Sequence, residues 1–509
     1  VGKHGRKKAR AAHAQPKSHD GRSMRLRYAA AKTGRLIGDW FPVGQDVNAL
    51  ISQASPIVRS RMRQLVRDFP PFARAVNVLV KFTVGTGVQF QSHVLTQNGD
   101  PDREARAGVE EFWRVFCDEA DASASPSLRM SLHEMAALAK RQEEDQGEFL
   151  CMFQPRAERN AYLPFGLAFY ESERLSSLGA SPSAGRDVLD GVEFDKRTGA
   201  ITGFYIEEDG YTRRVTRVPA EQCVFGLDRK RVGQMRGITP FAPAMLLAHS
   251  LRTMMEAEID AAKLASKWLA VVKTPNPEGF QGERDVQTVD GRRVEELENA
   301  IIEYLEPGEE IEIKSHNRGG ETFQAFCKFI LRLIAITRDL PYDLLSGDTS
   351  DVNYSSLRVS RNDFIQALAP DQQRVISQFY RPVFRKALGE AVLHGRVRLP
   401  GYWSDPWRFE RALWIPPGMK PVDPLREFKA KVEAIKAGLI SPQQAIMEMG
   451  GDPERTLAEI AAWNAMCAEY GLDFSASMSG VSTAGANNPA ALDGEDADRS
   501  GRGKLLRVK

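Results

Sequence analysis

From Val47 onward, stretches with apolar residues every three or four positions alternate with short β-rich runs. Ser55-Pro56 reads as an N-cap and first-turn proline ahead of Val58, Met62, Leu65 and Val66. Pro70-Pro71 breaks the chain, and a second helix follows with Phe72, Ala75, Val76, Leu79 and Phe82 before Gly85-Thr86-Gly87. Two further helical runs carry Phe112, Trp113 and Phe116, and Leu132, Met135 and Leu138. Between Gly147 and Phe225 the pattern changes to short, turn-bounded strands near 149–153, 167–170, 191–194, 201–206 and 222–225, with Asp195–Gly199 as a hairpin loop.

The segment after Thr239-Pro240 predicts a long helix. Leu247, Leu251, Met254, Ala261, Ala265, Trp268 and Val272 keep helical spacing with no breaker between Pro243 and Pro275. At about 1.5 Å per residue such a helix is a rod of roughly 50 Å. Its charged face holds Glu256, Asp260, Lys263 and Lys267, spaced to support one another. Residues 274–320 form an acidic insertion with Glu295, Glu296, Glu298, Glu303, Glu306, Glu309 and Glu310, around a short expected helix with Val294, Leu297, Ile301 and Leu305. A second helix then carries Phe323, Phe326, Cys327, Ile330, Leu333 and Ile334 and stops before Pro341. A polar loop, Ser346-Gly-Asp-Thr-Ser-Asp-Val-Asn-Tyr354, leads into a long helical stretch that Pro370 and Pro382 should kink or divide. Trp403, Trp407 and Trp414 lie in a proline-rich return. Three helices opened by Asp423-Pro424, Ser441-Pro442 and Asp452-Pro453 close the ordered part, and 475–509 read as a disordered tail.

At 509 residues the chain exceeds a single core. Its formal charge of +2 hides an asymmetry: residues 1–35 carry eleven Lys or Arg against Asp20 alone, so this arm is +10 and the remainder −8. A basic arm on an acidic body suggests an anionic contact, or a merely solvated tail. The uncharged run from Gly237 to Leu251 contains two prolines and is too short to span a bilayer, so no membrane partner is expected. Cys117, Cys151, Cys223, Cys327 and Cys467 lie far apart without a paired spacing, which favours reduced thiols over a disulfide or zinc framework.

The chemistry of an enzyme is hard to place. His133-Glu134 lacks the second histidine of a zincin helix, Gly85-Thr-Gly87 closes a helix rather than opening one, and there is neither a P-loop nor a nucleophile elbow. Glu143-Glu144 and Glu207-Glu208-Asp209 read as exposed polar faces. No catalytic residue, metal ligand or cofactor is assigned.

Several stretches, in order, resemble the portal proteins of lambda-like tailed phages. They are Arg59–Asp68 through Asn77 to Gly85-Thr-Gly87, Gly147-Glu148, Glu171-Ser-Glu-Arg-Leu175, Gly233-Gln-Met-Arg-Gly-Ile238, and Pro341–Ser346 followed by Asn353-Tyr-Ser-Ser-Leu-Arg358. The resemblance implies a predominantly helical α+β portal fold. In it 46–238 would be an α/β wing, 239–273 and 321–345 the two stem helices, and 274–320 a small α/β clip. Residues 346–354 would be a tunnel loop, 355–420 a kinked helix returning to the wing, and 421–474 a helical crown, with 1–45 as the arm. It further implies a dodecameric ring at one capsid vertex, through which double-stranded DNA is packaged and ejected. Its partners would be the terminase large subunit and the head–tail connector at the clip, with the major capsid and scaffold proteins around it. Gly347, Asp348, Thr349, Ser350, Asp351, Val352, Asn353 and Tyr354 would face DNA. Glu256, Asp260, Lys263 and Lys267 would line the channel, or pair with one another. The virion would be its location, after assembly in the bacterial cytoplasm. The competing readings are a nuclease or recombinase subunit gripping DNA through the arm, which would need a carboxylate metal cluster or a nucleophile, and a helical adaptor unrelated to phage.

Overall fold

Helix α1 (Val47–Asp68) starts eight residues before the expected cap and runs through Pro56. Pro56 sits in mid-helix where an N-terminal proline was expected, so the apolar face extends back to Val47 and Ile51, both buried. Pro70 and Pro71 open α2 (Pro70–Thr83) at its first positions, where a missing N–H costs nothing. The two helices share one core, in which Met62, Phe72, Val76 and Leu79 are buried.

The next section builds the first α/β body. Strand β1 (Gln89–Ser92) precedes α3 (Arg103–Arg114), capped by Asp102, and α4 (Leu132–Gln146), opened by a capping box of Ser131 and Glu134. Strands β2 (Glu148–Pro155), β3 (Phe165–Tyr170) and β8 (Cys223–Leu227) form a three-stranded antiparallel sheet with β2 central. Between β3 and β8 in sequence, β4 (Arg186–Leu189), β5 (Val192–Asp195), β6 (Ile201–Glu207) and β7 (Val215–Pro219) make an antiparallel meander. Its hairpin loop is set by Asp195, whose carboxylate accepts from the amides of Arg197 and Thr198.

Helix α5 (Met245–Ser266) is shorter than the expected rod at both ends. Thr239 caps a tight turn rather than the helix: its hydroxyl donates to the carbonyl of Glu144 and accepts from the amide of Phe241. At the other end Trp268–Lys273 leaves helix for strand β9, which pairs in parallel with β12 (Ala300–Leu305). With β10 (Gln287–Val289) and β11 (Arg292–Leu297) these give a four-stranded sheet in the order β10-β11-β12-β9, where a short helix was expected. The run Trp268-Leu-Ala-Val-Val272 and the pair Ile301-Ile302 are β-rich, and short apolar runs fit both periods.

Helix α6 (Gly320–Ile336) and the short α7 (Tyr342–Ser346) lead to α8 (Tyr354–Val375), which contains Pro370 without ending there. A wide π turn, Ile376–Tyr380, then joins it to α9 (Arg381–Leu393). The Arg381 amide reaches back to the carbonyl of Ile376, and this extra residue accommodates Pro382, which has no N–H to give. Short α10 (Pro406–Phe409) leads to β13 (Ala412–Ile415), which pairs with β1 and sets Trp414 opposite Phe90. Helices α11 (Pro424–Lys436), α12 (Pro442–Glu448, capped by Ser441) and α13 (Pro453–Glu469, capped by Asp452) close the described chain.

This computed structural model describes residues 44–125, 129–156, 161–208, 214–266, 268–273, 287–289, 292–297, 300–305, 320–350, 353–418 and 424–470, with backbone alone for 264–322 and 354–355 within those ranges. The chain divides at Asp46, and residues 47–509 form one unit. The first core gathers Phe112, Trp113, Phe116, Phe379, Tyr380 and Phe384 around β1 and β2. The second joins α1 and α2 to α5, α6 and α8 through Phe241, Leu251, Ile330, Ile334 and Phe364. All five cysteines are thiols. The basic arm and the C-terminal tail lie outside the described residues, apart from residues 44 and 45.

Candidate functional site

The sequence-predicted loop is partly structured. Gly347 ends α7 with φ +76°, a left-handed value suited to glycine, and its amide donates to the carbonyl of Asp343 at 2.9 Å. Asp348 accepts from the amide of Ser350 and from the Lys328 ammonium, at 3.0 and 3.4 Å. These contacts hold its carboxyl below the ordinary aspartate value, the Ser350 hydrogen bonds contributing most. Thr349 and Ser350 are exposed, whereas Asp351 and Val352 lie outside the described residues. Asn353 caps α8 by accepting from the Ser356 amide at 2.8 Å, and Tyr354 is its first residue. The loop is therefore pinned at both ends by local hydrogen bonds. Arg74 secures its root by donating to the carbonyl of Leu344 at 2.7 Å.

On α5, Glu256 pairs with Arg252 at 2.8 Å and Lys263 with Asp260 at 2.9 Å, along an exposed face. Lys267 lies outside the described residues. Of the acidic insertion, Glu295 and Glu296 fall on β11 and Glu303 on β12, with Glu295 in register with Ile302 and Val294 with Glu303. Glu298, Glu306, Glu309 and Glu310 lie outside the described residues.

Two buried ionic clusters were not anticipated. In the first, Glu148 at the start of β2 receives Arg59 from α1 at 3.0 Å and Arg236 from the lead into α5 at 2.6 Å. The Gly237 amide completes it at 2.6 Å. All three charged residues are 5% exposed or less, so this is a desolvated cluster rather than a surface pair. Burial alone would raise the Glu148 carboxyl, but Arg236, Arg59 and the Gly237 amide outweigh it and hold the group below the ordinary glutamate value. The backbones meet here: a Cβ on Gly147 would lie 2.2 Å from Ile238, and one on Gly237 would lie 2.1 Å from the carbonyl of Gly147. Gly147-Glu148 and Arg236-Gly237, two separate motifs in sequence, are thus halves of one joint.

The second cluster overturns the reading of Glu143-Glu144 as an exposed face, since both are essentially fully buried. The Lys140 ammonium sits among Glu143, Glu144 and Asp371 at 3.0, 2.8 and 2.9 Å. Arg338, just beyond α6, bridges Glu144 and Asp371 at 2.6 and 2.5 Å. Arg374 binds Glu143 at 2.9 Å and also Asp371. Burial would raise the Asp371 carboxyl, but Lys140, Arg338 and Arg374 together hold it well below the usual range. Glu143, Glu144 and Asp371 are, among the described residues, the carboxylate group close enough to share a cation. Lys140 supplies that cation, so the position where a metal would sit is filled by an ammonium. The signal was present as Lys140 three and four residues before the paired acids, but Arg338 lies 194 residues from Glu144 and Asp371 lies 231 residues from Lys140.

Buried charges thus tie the α/β body to the lead into α5 and to the end of α6, and a polar loop pinned at both ends follows α7. The profile described as phage portal protein, lambda family, matches residues 33–372. The chain belongs to the lambda family of phage portal proteins. It is 22% identical to portal protein B of Escherichia phage lambda over 467 residues, 84% of this chain and 86% of that one. It is 23% identical to the portal protein of Escherichia phage N15, over 84% and 87%. A probable portal protein of Halomonas phage phiHAP-1 is 25% identical over 58% of this chain and 59% of its own. Among solved structures, a chain in the neck of a native gene transfer agent particle, computed with C12 symmetry, covers 79% of this chain and 98% of its own at TM-score 0.42 and 13% identity. The fold is mainly helical α+β, and the chain is a structural portal component of a phage virion. Among the described residues no helix is long and apolar enough to cross a membrane.

Proposed function

We propose that this portal protein closes into a dodecameric ring around a channel for double-stranded DNA, and that its modules divide the work. The observation that carries the ring is apolar surface left open on both hairpin helices. On α6, Phe326, Phe329, Leu333 and Ile336 follow the three-and-four spacing of a helix seam, and Phe329 and Ile336 are 57% and 67% exposed. Met255 and Ile259 are exposed on α5. Different surfaces on two helices suit a head-to-tail contact between copies, the kind that generates rings.

In this reading 46–238 is the wing, α5 and α6 the stem, 274–320 the clip, and 421–474 the crown. The clip, with Glu295, Glu296 and Glu303 on its strands, offers acidic side chains to the terminase large subunit and later to the connector. Major capsid and scaffold proteins surround the ring, which is assembled in the host cytoplasm and has no catalytic task. Glu256 pairs with Arg252 and Asp260 with Lys263 along α5, which suits a wall past which DNA slides, because unpaired cations would hold phosphates and act as a brake. The loop 346–354 touches the duplex through Thr349 and Ser350, while Asp348 and Asn353 shape it.

Deleting residues 348–352 tests the assignment. Rings should still form, because the stem and wing cores are untouched, while DNA packaging or retention in assembled particles should fall. Failure of the deleted protein to assemble would show that the loop is structural and contradict its assignment to the channel.

A further inference from the structure

Trp403 and Trp407 are 64% and 68% exposed, an unusual placement for the largest apolar side chain. The turn Tyr402–Ser404 and helix α10 set both against one face of α9. A Cβ on Gly389 would lie 3.8 Å from the far edge of the Trp403 ring, and the Arg385 guanidinium stands 5.4 Å from the centre of the Trp407 ring. Arg381, one turn earlier on α9, and Arg411 line the same open groove of about 280 Å³ as Trp407. Arg385 is paired with Glu410 at 3.1 Å, whereas among the described residues neither Arg381 nor Arg411 forms an ion pair. His93 lines this groove too, and burial together with Arg106 and Arg411 holds its imidazole below the ordinary histidine value.

We propose that this face of α9 and α10 is the docking site for an acidic segment of another protein, carrying carboxylates on either side of an apolar anchor. Arg381 and Arg411 would receive the carboxylates, and Trp403 and Trp407 would cover the anchor. Trp and Arg together are the composition of protein interface hot spots. A duplex offers phosphates to the arginines, but its bases are stacked inside, so two exposed indoles would gain little from it. The observations therefore favour a protein over DNA.

The test uses the full chain in its assembled form and a fluorescent short peptide of Asp and Glu flanking a Phe-Leu pair. The comparators are the same peptide with Ser-Ser in place of Phe-Leu, and a short DNA duplex. The Phe-Leu peptide should bind, and W403A/W407A should weaken it by about tenfold or more with the charge unchanged. R381E/R411E should weaken it at least as much, and the Ser-Ser peptide should bind several-fold less tightly than the Phe-Leu one. Circular dichroism separates lost binding from lost fold, and the milder R381Q/R411Q pair gives a second route to the same loss. Three outcomes would overturn the proposal: a peptide that fails to bind or ignores every variant, duplex binding that depends on the arginines but not the tryptophans, or W403A/W407A subunits that no longer assemble, which would make this a contact between copies.

Discussion

Glu148 sits where three parts of the chain converge, and removing its charge would leave Arg59 and Arg236 buried together without compensation. Glu148→Gln is therefore expected to destabilise the subunit by roughly 3–5 kcal/mol, read from denaturant unfolding. Acid should act on the same groups. Glu148 and Asp371 have folded-state values below their unfolded ones, so their stabilising contribution is full above about pH 4 and is lost as pH falls through the folded values. Asp145 behaves in the opposite way. Burial, partly offset by Arg141, pushes its carboxyl up to about 6, and one of its oxygens is buried without a hydrogen-bond partner. The neutral acid costs nothing at low pH, and the cost of charging it grows as pH rises from about 4 through its folded value. Asp145→Asn should thus raise stability by roughly 1–3 kcal/mol at pH 8 and change little at pH 4. Equal effects at both pH values would contradict this.

At the scale of elements, α6 has two apolar faces with different fates. Ile330 and Ile334 are buried against α5 and the neighbouring helices, while Phe326, Phe329 and Ile336 face outward. Phe326→Glu/Phe329→Glu should leave the subunit folded, since neither ring is in the core, but reduce assembled material to monomers in a sizing experiment. Rings of unchanged mass would remove the seam from the interface. In the sequence these residues form a single apolar stripe, because periodicity records hydrophobicity and not which neighbour covers it. Capped helices were legible: Ser441 and Asp452 open α12 and α13 where their side-chain chemistry predicts. Strands β2, β3, β5, β6 and β8 were legible too, each bounded by turn residues, whereas β4 and β7 were not anticipated. The end of α5 was not, since Trp268–Lys273 is held as strand by β12, some thirty residues later, and nothing local announces that partner. Pro56 misled because proline opens helices more often than it sits inside them. The burial of Glu143 and Glu144 was hidden for a related reason: its cause is Arg338 and Asp371, supplied by the fold.

For the whole molecule, family membership and the buried joints point the same way. Arg59–Glu148–Arg236 ties α1 and β2 to the lead into α5, and Lys140–Glu144–Arg338–Asp371 ties α4 to the end of α6 and to α8. The start and the end of the proposed stem are thereby fixed to the α/β body, as the proposed ring would require to withstand the passage of DNA. The negative balance outside the basic arm fits a channel that does not grip its cargo. The most direct test is the mass and symmetry of the purified full chain, by light scattering and negative-stain imaging. The account predicts a closed ring with a central hole and a mass of many subunits, twelve if the family expectation holds. A monomer or dimer at micromolar concentration, unchanged when capsid and scaffold proteins are added, would contradict it.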